Sequence, residues 1–283
     1  MRDARGEMRR PIGMRLWLSG GWLGLLVLAA LLAPWISPQD PLAQDLFTSR
    51  LPPFWADGAE QGYPLGSDSL GRDVLSRILH GAQLALIVAL VAGGLTCLIG
   101  STLGLLAGYF GGWTDRVISR LIDIWMAFPP VLFAILLIAV LGPGLSSIII
   151  AIVVIDWTRF ARVIRAEAMS QGAMDYVASA QVAGRTRLNT MFTEILPNVL
   201  PTIVVLLTLE MGIAVIVEAI LSFVNLSIST DQPTWGGMIS EGRISVHQAW
   251  WVLVFPLIAL FLTVLSFSQL GEGLKDYFDP VLR

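Results

Sequence analysis

The chain has 283 residues, 55% of them hydrophobic and only 14% charged, with a mean hydropathy of +0.73, whereas soluble domains carry about 25% charged residues. That balance excludes an ordinary soluble enzyme and defines a polytopic membrane protein, and a net charge of −3 offers no basic footprint for nucleic acid. Lys275, the single lysine, lies outside any glycine-rich loop, so the chain has no Walker A motif; His80, His247 and Cys97 form no local metal-ligand set, and a lone cysteine allows no internal disulfide.

Arg2, Arg5, Arg9, Arg10 and Arg15 precede an apolar segment over about 16–36 that contains Trp17, Trp22 and Trp35. A basic flank, a span of about 20 residues and interfacial tryptophans predict a transmembrane helix that starts in the cytoplasm. The alternative is a cleaved signal peptide, for which the span is long and Pro34 and Trp35 are poor cleavage-site residues. Either way the proline- and glycine-rich loop over about 37–83 lies outside. At its end Leu70, Val74, Leu75, Ile78 and Leu79 have the spacing of an amphipathic helix resting on the membrane surface. Asp68, Arg72 and Asp73 are close enough for local ion pairs, but capping and solvating that helix is the simpler role.

A second span over about 84–109 carries Gly100, Gly104 and Gly108 at four-residue spacing, a face on which another helix backbone approaches closely. Residues 111–116 predict a short cytoplasmic turn anchored by Arg116 and Arg120. The third span, about 121–141, begins near Asp123 and is interrupted by Pro129 and Pro130, which predict a kink toward a solute path because freed carbonyls need protein or water cover. After the tight turn at Gly142, Pro143 and Gly144, a fourth span from 145 to about 157 continues as helix through 169. Arg159, Arg162 and Arg165 stand on one side of it, entering cytosol or headgroups.

Residues 175–201 are the longest polar interruption on the inner side. Ala178, Ala180 and Ala183 give a helix a flat face open to a partner, and Gly184 can end it in a left-handed cap. Arg185 and Arg187 begin a second short helix that Pro197 is expected to close. A docking element and a plain solvated loop are both compatible with this pattern. The fifth span, about 199–224, carries Glu210 and Glu218, which either line a polar path or make structural pairs within the bundle. Trp250 and Trp251 open the sixth span, which ends near 270. With six spans, fourteen of the 18 basic residues fall inside and four outside, which puts both termini and residues 175–201 in the cytoplasm.

Several runs resemble one family closely. Pro64-Leu65-Gly66-Ser67-Asp68-Ser69-Leu70-Gly71-Arg72-Asp73, continued by Ser76 and Arg77, is similar to the P-L-G-T-D-x-L-G-R-D-x-x-S-R signature of ABC importer permeases in the dipeptide, oligopeptide and nickel branch. Gly108-Tyr109-Phe110-Gly111-Gly112-Trp113 with Asp115 and Arg116, Pro233-Thr234-Trp235-Gly236-Gly237-Met238, and Gly271-Glu272-Gly273-Leu274-Lys275-Asp276 with Asp279 and Pro280 continue the likeness along nearly the whole chain. Ala178, Ala180, Gly184, Leu196 and Pro197 follow the family's E-A-A-x3-G-x9-I-x-L-P loop. There are departures: Ala178 stands where glutamate is common, and Glu194 where this branch often has histidine. The run Phe223-Val224-Asn225-Leu226-Ser227 replaces a glycine-rich turn, altering an outer gate or lengthening a helix cap.

The resemblance implies an all-α type I ABC importer permease fold with six transmembrane helices in a bacterial inner membrane. It implies an N-terminal unit over 1–83 and a five-helix core over 84–283 with a cytoplasmic coupling loop at about 168–198. Tyr176, Ala178, Ala180, Gly184, Arg185, Leu196 and Pro197 would meet a separate ATPase subunit, and Glu218, Glu210, Pro129 and Pro130 are candidates for the translocation path. No catalytic or metal site is implied; ATP and Mg would sit on partner subunits. The implied partners are a homologous second permease, two ATP-binding subunits, an extracytoplasmic substrate-binding protein and the bilayer. The implied cargo is a di- or oligopeptide, or alternatively nickel or a metal chelate. A secondary transporter using Glu210 and Glu218 is the rival from another class, without a visible internal repeat to support it. An intramembrane protease would need paired catalytic groups, and Asp123 and Asp156, read as lying near the cytoplasmic edges, have no supporting motif.

Overall fold

The computed structural model describes residues 13–224 and 232–278. The first four N-terminal arginines, Asn225 to Ser227 of the departing turn, and Asp279 and Pro280 lie outside the described residues. Among the described residues ten α-helices follow one another: α1 Met14–Ile36, α2 Val74–Phe110, α3 Gly112–Met126, α4 Pro130–Leu141, α5 Leu145–Gly172, α6 Asp175–Val182, α7 Arg187–Thr190, α8 Leu196–Phe223, α9 Trp235–Ser245 and α10 Trp251–Phe278. A π-helical turn, Met191–Ile195, joins α7 to α8. By length and composition four helical stretches can cross a membrane: α1, α2, the stretch Arg187–Phe223 and α10. A fifth is obtained if α3 and α4 count as one crossing. Helix α5 is 28 residues long but carries Asp156, Arg159 and Arg162 in its apolar part and is not among them.

The glycines of the second span do what their spacing predicts. A Cβ on Gly104 would fall 2.8 Å from the Ala161 carbonyl oxygen and 2.9 Å from the Ile164 side chain, and one on Gly108 would fall 2.8 Å from the Ala168 side chain. Bare backbone therefore lets α2 lie directly along α5, which is how membrane helices pack where lipid removes the hydrophobic drive between them.

Four expectations change. The amphipathic surface helix expected before the second span is the start of α2 itself, which runs unbroken from Val74 to Phe110. Asp73 caps it, accepting from the Ser76 N–H at 2.7 Å, and Val74, Ser76 and Arg77 are buried by their neighbours instead of resting on a membrane surface. The kink expected in the third span is a break: α3 and α4 meet at 87°. Neither Pro129 nor Pro130 has an N–H to donate, and Phe128 and Pro129, as residues preceding proline, are disfavoured in α conformation; Pro129 is extended at φ −61°, ψ 121°. Below the break the helix starts as early as Gly112, reducing the expected inner turn to Gly111 at φ 64°. Finally, Pro197 does not close a helix. It lies in the first turn of α8, just past the π turn, and the chain continues helically to Phe223.

Candidate coupling element and solute path

Helix α6 ends where glycine was expected to end it. Ala183 is the last near-helical residue, Gly184 takes φ +85°, the Gly184 N–H donates to the Gln181 carbonyl at 3.0 Å, and the Arg185 N–H donates to the Ala180 carbonyl at 3.2 Å. That pair of bonds is a Schellman cap, which reverses the chain over one residue. Thr186 then caps α7 by accepting from the Asn189 N–H at 3.3 Å. Arg185 donates to Thr193 at 2.9 Å and forms an ion pair with Glu194, so the glutamate that stands in an unusual position has a local partner.

One side of α6 is fastened to the bundle. Val177 is buried with Ile195, Val199 and Ile164, the Tyr176 hydroxyl donates to Gln171 at 2.8 Å, and Gln181 donates to the Tyr109 hydroxyl at 3.1 Å. Burial, ahead of the opposing bond from Asn198, pushes the Tyr176 hydroxyl above its ordinary range, so it remains a neutral donor. The other side is open. Asp175, Ala178, Ser179, Val182 and Ala183 line a shallow depression, and Val182 is 89% exposed. Of the seven residues expected to couple, Ala178, Gly184, Arg185 and Pro197 are exposed, while Tyr176, Ala180 and Leu196 are half-buried at the root.

The candidate path residues do not form one cluster. Glu218 is buried and accepts from Ser222 at 2.5 Å. Pro129 and Pro130 are exposed at the break between α3 and α4. Glu210, two turns below Glu218 near the middle of α8, faces α5: its Oε2 is 3.7 Å from Arg159, whose other terminal nitrogen is 3.4 Å from Asp156. Asp156 is thus buried within the bundle. One and two turns along α5, Arg162 meets Asp123 of α3 at 3.2 Å, and Arg165 grips Asp115 of α3 through two donors. The equal spacing of the three arginines was visible in the sequence; their carboxylate partners on α3 and α8 were not.

At the start of α2, Asp68, Arg72 and Asp73, expected to cap and solvate the helix, are buried together with Arg77, each at most 4% exposed. Arg72 donates to Asp68 and to Glu241 of α9 at 2.7 Å each, and Arg77 pairs with both carboxylates as well. Trp235 donates to the Ile78 carbonyl at 3.1 Å and Trp251 to the Ser67 carbonyl at 3.0 Å, joining α9 and α10 to the same loop and helix. This network spans more than 160 residues of sequence, and nothing local to Arg72 or Arg77 points to Glu241.

A helical membrane bundle with a short helical element tied to three long helices has the fold of an ABC importer permease. Two chains of the MetNI methionine ABC transporter in inward-facing conformations match it with TM-scores of 0.60 and 0.57 at 18% identity, over 72% and 71% of this chain and 97% and 96% of theirs. The chain belongs to the family of binding-protein-dependent transport system inner membrane components, matched over residues 100–283, and residues 16–53 match the N-terminal TM domain of oligopeptide transport permease C. It is accordingly a multi-pass protein of the inner membrane. Among its relatives, the di/tripeptide transport system permease protein DppC of Pseudomonas aeruginosa is 38% identical over 92% of this chain and 86% of its own. The glutathione transport system permease protein GsiD of Pectobacterium atrosepticum is 37% identical over 97% and 90%, and that of Shigella dysenteriae 40% over 92% and 84%.

Proposed function

We propose that this chain is one of two permease subunits of an ATP-driven importer of small peptides. It forms half of the translocation path, contributes six spans with both termini inside, and performs no chemistry of its own. ATP and Mg belong to two partner ATPase subunits, and cargo arrives on an extracytoplasmic binding protein. The division into an N-terminal unit over 1–83 and a core over 84–283 with a coupling loop at about 168–198 belongs to the same reading.

The observation that carries it is α6: an exposed small-residue face ending in Val182 and a Schellman cap, rooted through Tyr176, Val177 and Gln181 in α2, α5 and α8. A rigid body attached to three long helices transmits a push from a partner as a tilt of those helices, which is the requirement for alternating access. Among the described residues no group of three His, Cys, Asp or Glu side chains is placed to hold a metal ion, and the relatives named for a cargo are peptide and glutathione permeases. Both points favour a peptide over nickel. The test is reconstitution of the permease pair, ATPases and binding protein in proteoliposomes with a radiolabelled dipeptide. Uptake that requires ATP on the ATPase side is expected; uptake driven by a proton gradient without ATP would contradict the reading.

A further inference from the structure

The segment between α1 and α2 displays one aromatic side chain that the fold does not use. Leu46 and Phe47 are 72% and 98% exposed, whereas the other aromatics of the segment have neighbours. Phe54 and Trp55 meet edge to face at 4.9 Å, Trp55 meets Phe255 of α10 at 6.1 Å, and the Tyr63 hydroxyl donates to Thr48 at 3.2 Å. The backbone beneath Phe47 is nevertheless firmly held. Asp45 accepts from the Phe47 N–H at 3.0 Å, and the Asp45 N–H donates to the Leu70 carbonyl at 3.1 Å. Ser49 donates to the Ser69 carbonyl at 2.9 Å, and the Arg50 N–H donates to the Asp68 carbonyl at 2.9 Å. Arg50 is kept at φ 57°, a left-handed conformation that a non-glycine residue holds only where its surroundings impose it. Gly71, at φ +77°, lets the two stretches meet, because a Cβ there would collide with the Asp45 carbonyl. The same bonds lead to Asp68, which is buried with Arg72 and Arg77. A rigid turn that presents an aromatic ring to solvent has the form of a binding anchor, since little ordering cost remains when a partner covers it.

The charge around the turn decides the kind of partner. Asp40, Asp45, Asp57 and Glu60 are exposed in this segment, against Arg50 as its single exposed cation. A lipid anchor carries lysine and arginine beside its apolar residues, matching anionic headgroups; this one carries carboxylates, which such a surface repels. Its complement is a protein surface with an apolar pocket inside a basic rim. On the proposed orientation the segment is extracytoplasmic, the side from which a binding protein delivers cargo. We propose that Leu46 and Phe47 are the docking anchor for that binding protein. Phe47 fills an apolar pocket on it, lysine or arginine at the pocket rim faces Asp40 and Asp45, and the hydrogen-bonded turn fixes the docked protein relative to the start of α2. Through Arg72 and Arg77 the same attachment reaches Glu241 of α9.

The inference rests on the importer reading, and its test separates the two. The permease pair with its ATPases, in lipid nanodiscs, is titrated with the dipeptide-loaded binding protein that supports uptake in proteoliposomes, and ATP hydrolysis is followed. Phe47→Ser is expected to raise the binding-protein concentration for half-maximal stimulation by about tenfold or more, as loss of an aromatic anchor does, with the maximal rate unchanged. Phe54→Ser, which removes another exposed ring of the segment, is expected to leave that concentration near the parental value. An unchanged concentration in Phe47→Ser, or an equal rise in both variants, overturns the anchor while the importer reading stands. In a second measurement a Phe47→Trp variant is placed in nanodiscs of brominated lipid. The emission it adds is expected to escape quenching and to shift to the blue when loaded binding protein is added. Quenching by the lipid, or a blue-shifted emission before binding protein is added, overturns the proposal in favour of a membrane or permease contact. A parent complex that takes up no dipeptide with ATP and binding protein removes both readings.

Discussion

Gly184 separates two demands that a single substitution usually confounds. Its φ of +85° strains any L side chain, by about 1–2 kcal/mol per residue in that region, but a Cβ there would meet nothing among the described residues within 4 Å. Gly184→Ala therefore carries the backbone strain alone, and Gly184→Trp adds bulk that only an external partner can feel. Uptake assays in cells are expected to show partial activity for alanine and none for tryptophan, with both proteins inserted in the membrane at parental levels. Equal activity in the two variants would mean that no partner approaches this turn. Asp73 poses a question of charge. Burial first, and then the nearby Asp68 charge, hold its carboxyl above the ordinary 3.8 despite the opposing bonds from Ser76 and Leu75. A carboxyl raised in the folded state binds more protons folded than unfolded between the two values, so stability falls as pH rises through that interval. Asparagine caps a helix as well as aspartate does, and its amide can donate where Asp73 Oδ1 now has no partner. Asp73→Asn is expected to melt no lower than the parent at pH 7 and to lose that part of the pH dependence; a lower Tm at pH 7 would refute this.

At the scale of elements, the helices that sequence periodicity exposed most clearly are those whose signal is local. The glycine spacing of α2 predicted close packing, and the contact with α5 is where it said. Gly104→Leu is expected to separate the two helices and destabilise by about 1–3 kcal/mol, as over-packing does, read as a lower Tm of the detergent-solubilised protein; an unchanged Tm would show that the helices do not depend on this contact. Pro129 and Pro130 announced an interruption, but not its 87° size, because the angle is set by what α3 and α4 pack against after the hydrogen-bond ladder is lost. Pro197 misled for a related reason: a proline in the first turn of a helix gives up a hydrogen bond the helix does not need there, so it reads as a stop only if the next helix is taken to begin after it. The network of Asp68, Arg72, Arg77 and Glu241 was invisible for a third reason. Arg72 and Arg77 reach Glu241 only because α9 folds back over the start of α2. Removing one buried partner leaves uncompensated charge, so Asp68→Asn is expected to cost about 3–5 kcal/mol and to lower Tm far more than Asp73→Asn. A small change would mean that water already reaches these arginines.

For the whole molecule, composition was sufficient to define a multi-span membrane protein, and the small-residue and glycine pattern was sufficient to place the helix end at Gly184. The environment of the candidate path residues was the least legible part. Glu210 and Glu218 share a helix and looked like one feature, but the fold gives Glu218 to Ser222 and turns Glu210 toward Arg159 and Asp156. Helix-to-helix pairing decides this, and eight-residue spacing on one helix carries no information about the neighbour. On the proposed reading this chain works only as part of an ATP-driven assembly. Its most direct test is purification from the native membrane in mild detergent, with mass spectrometry of what accompanies it and an ATPase assay on the product. The expected result is one further permease, two ATPase chains and ATP hydrolysis stimulated by a loaded binding protein. A chain that purifies alone and moves solute in response to a proton gradient would contradict the account.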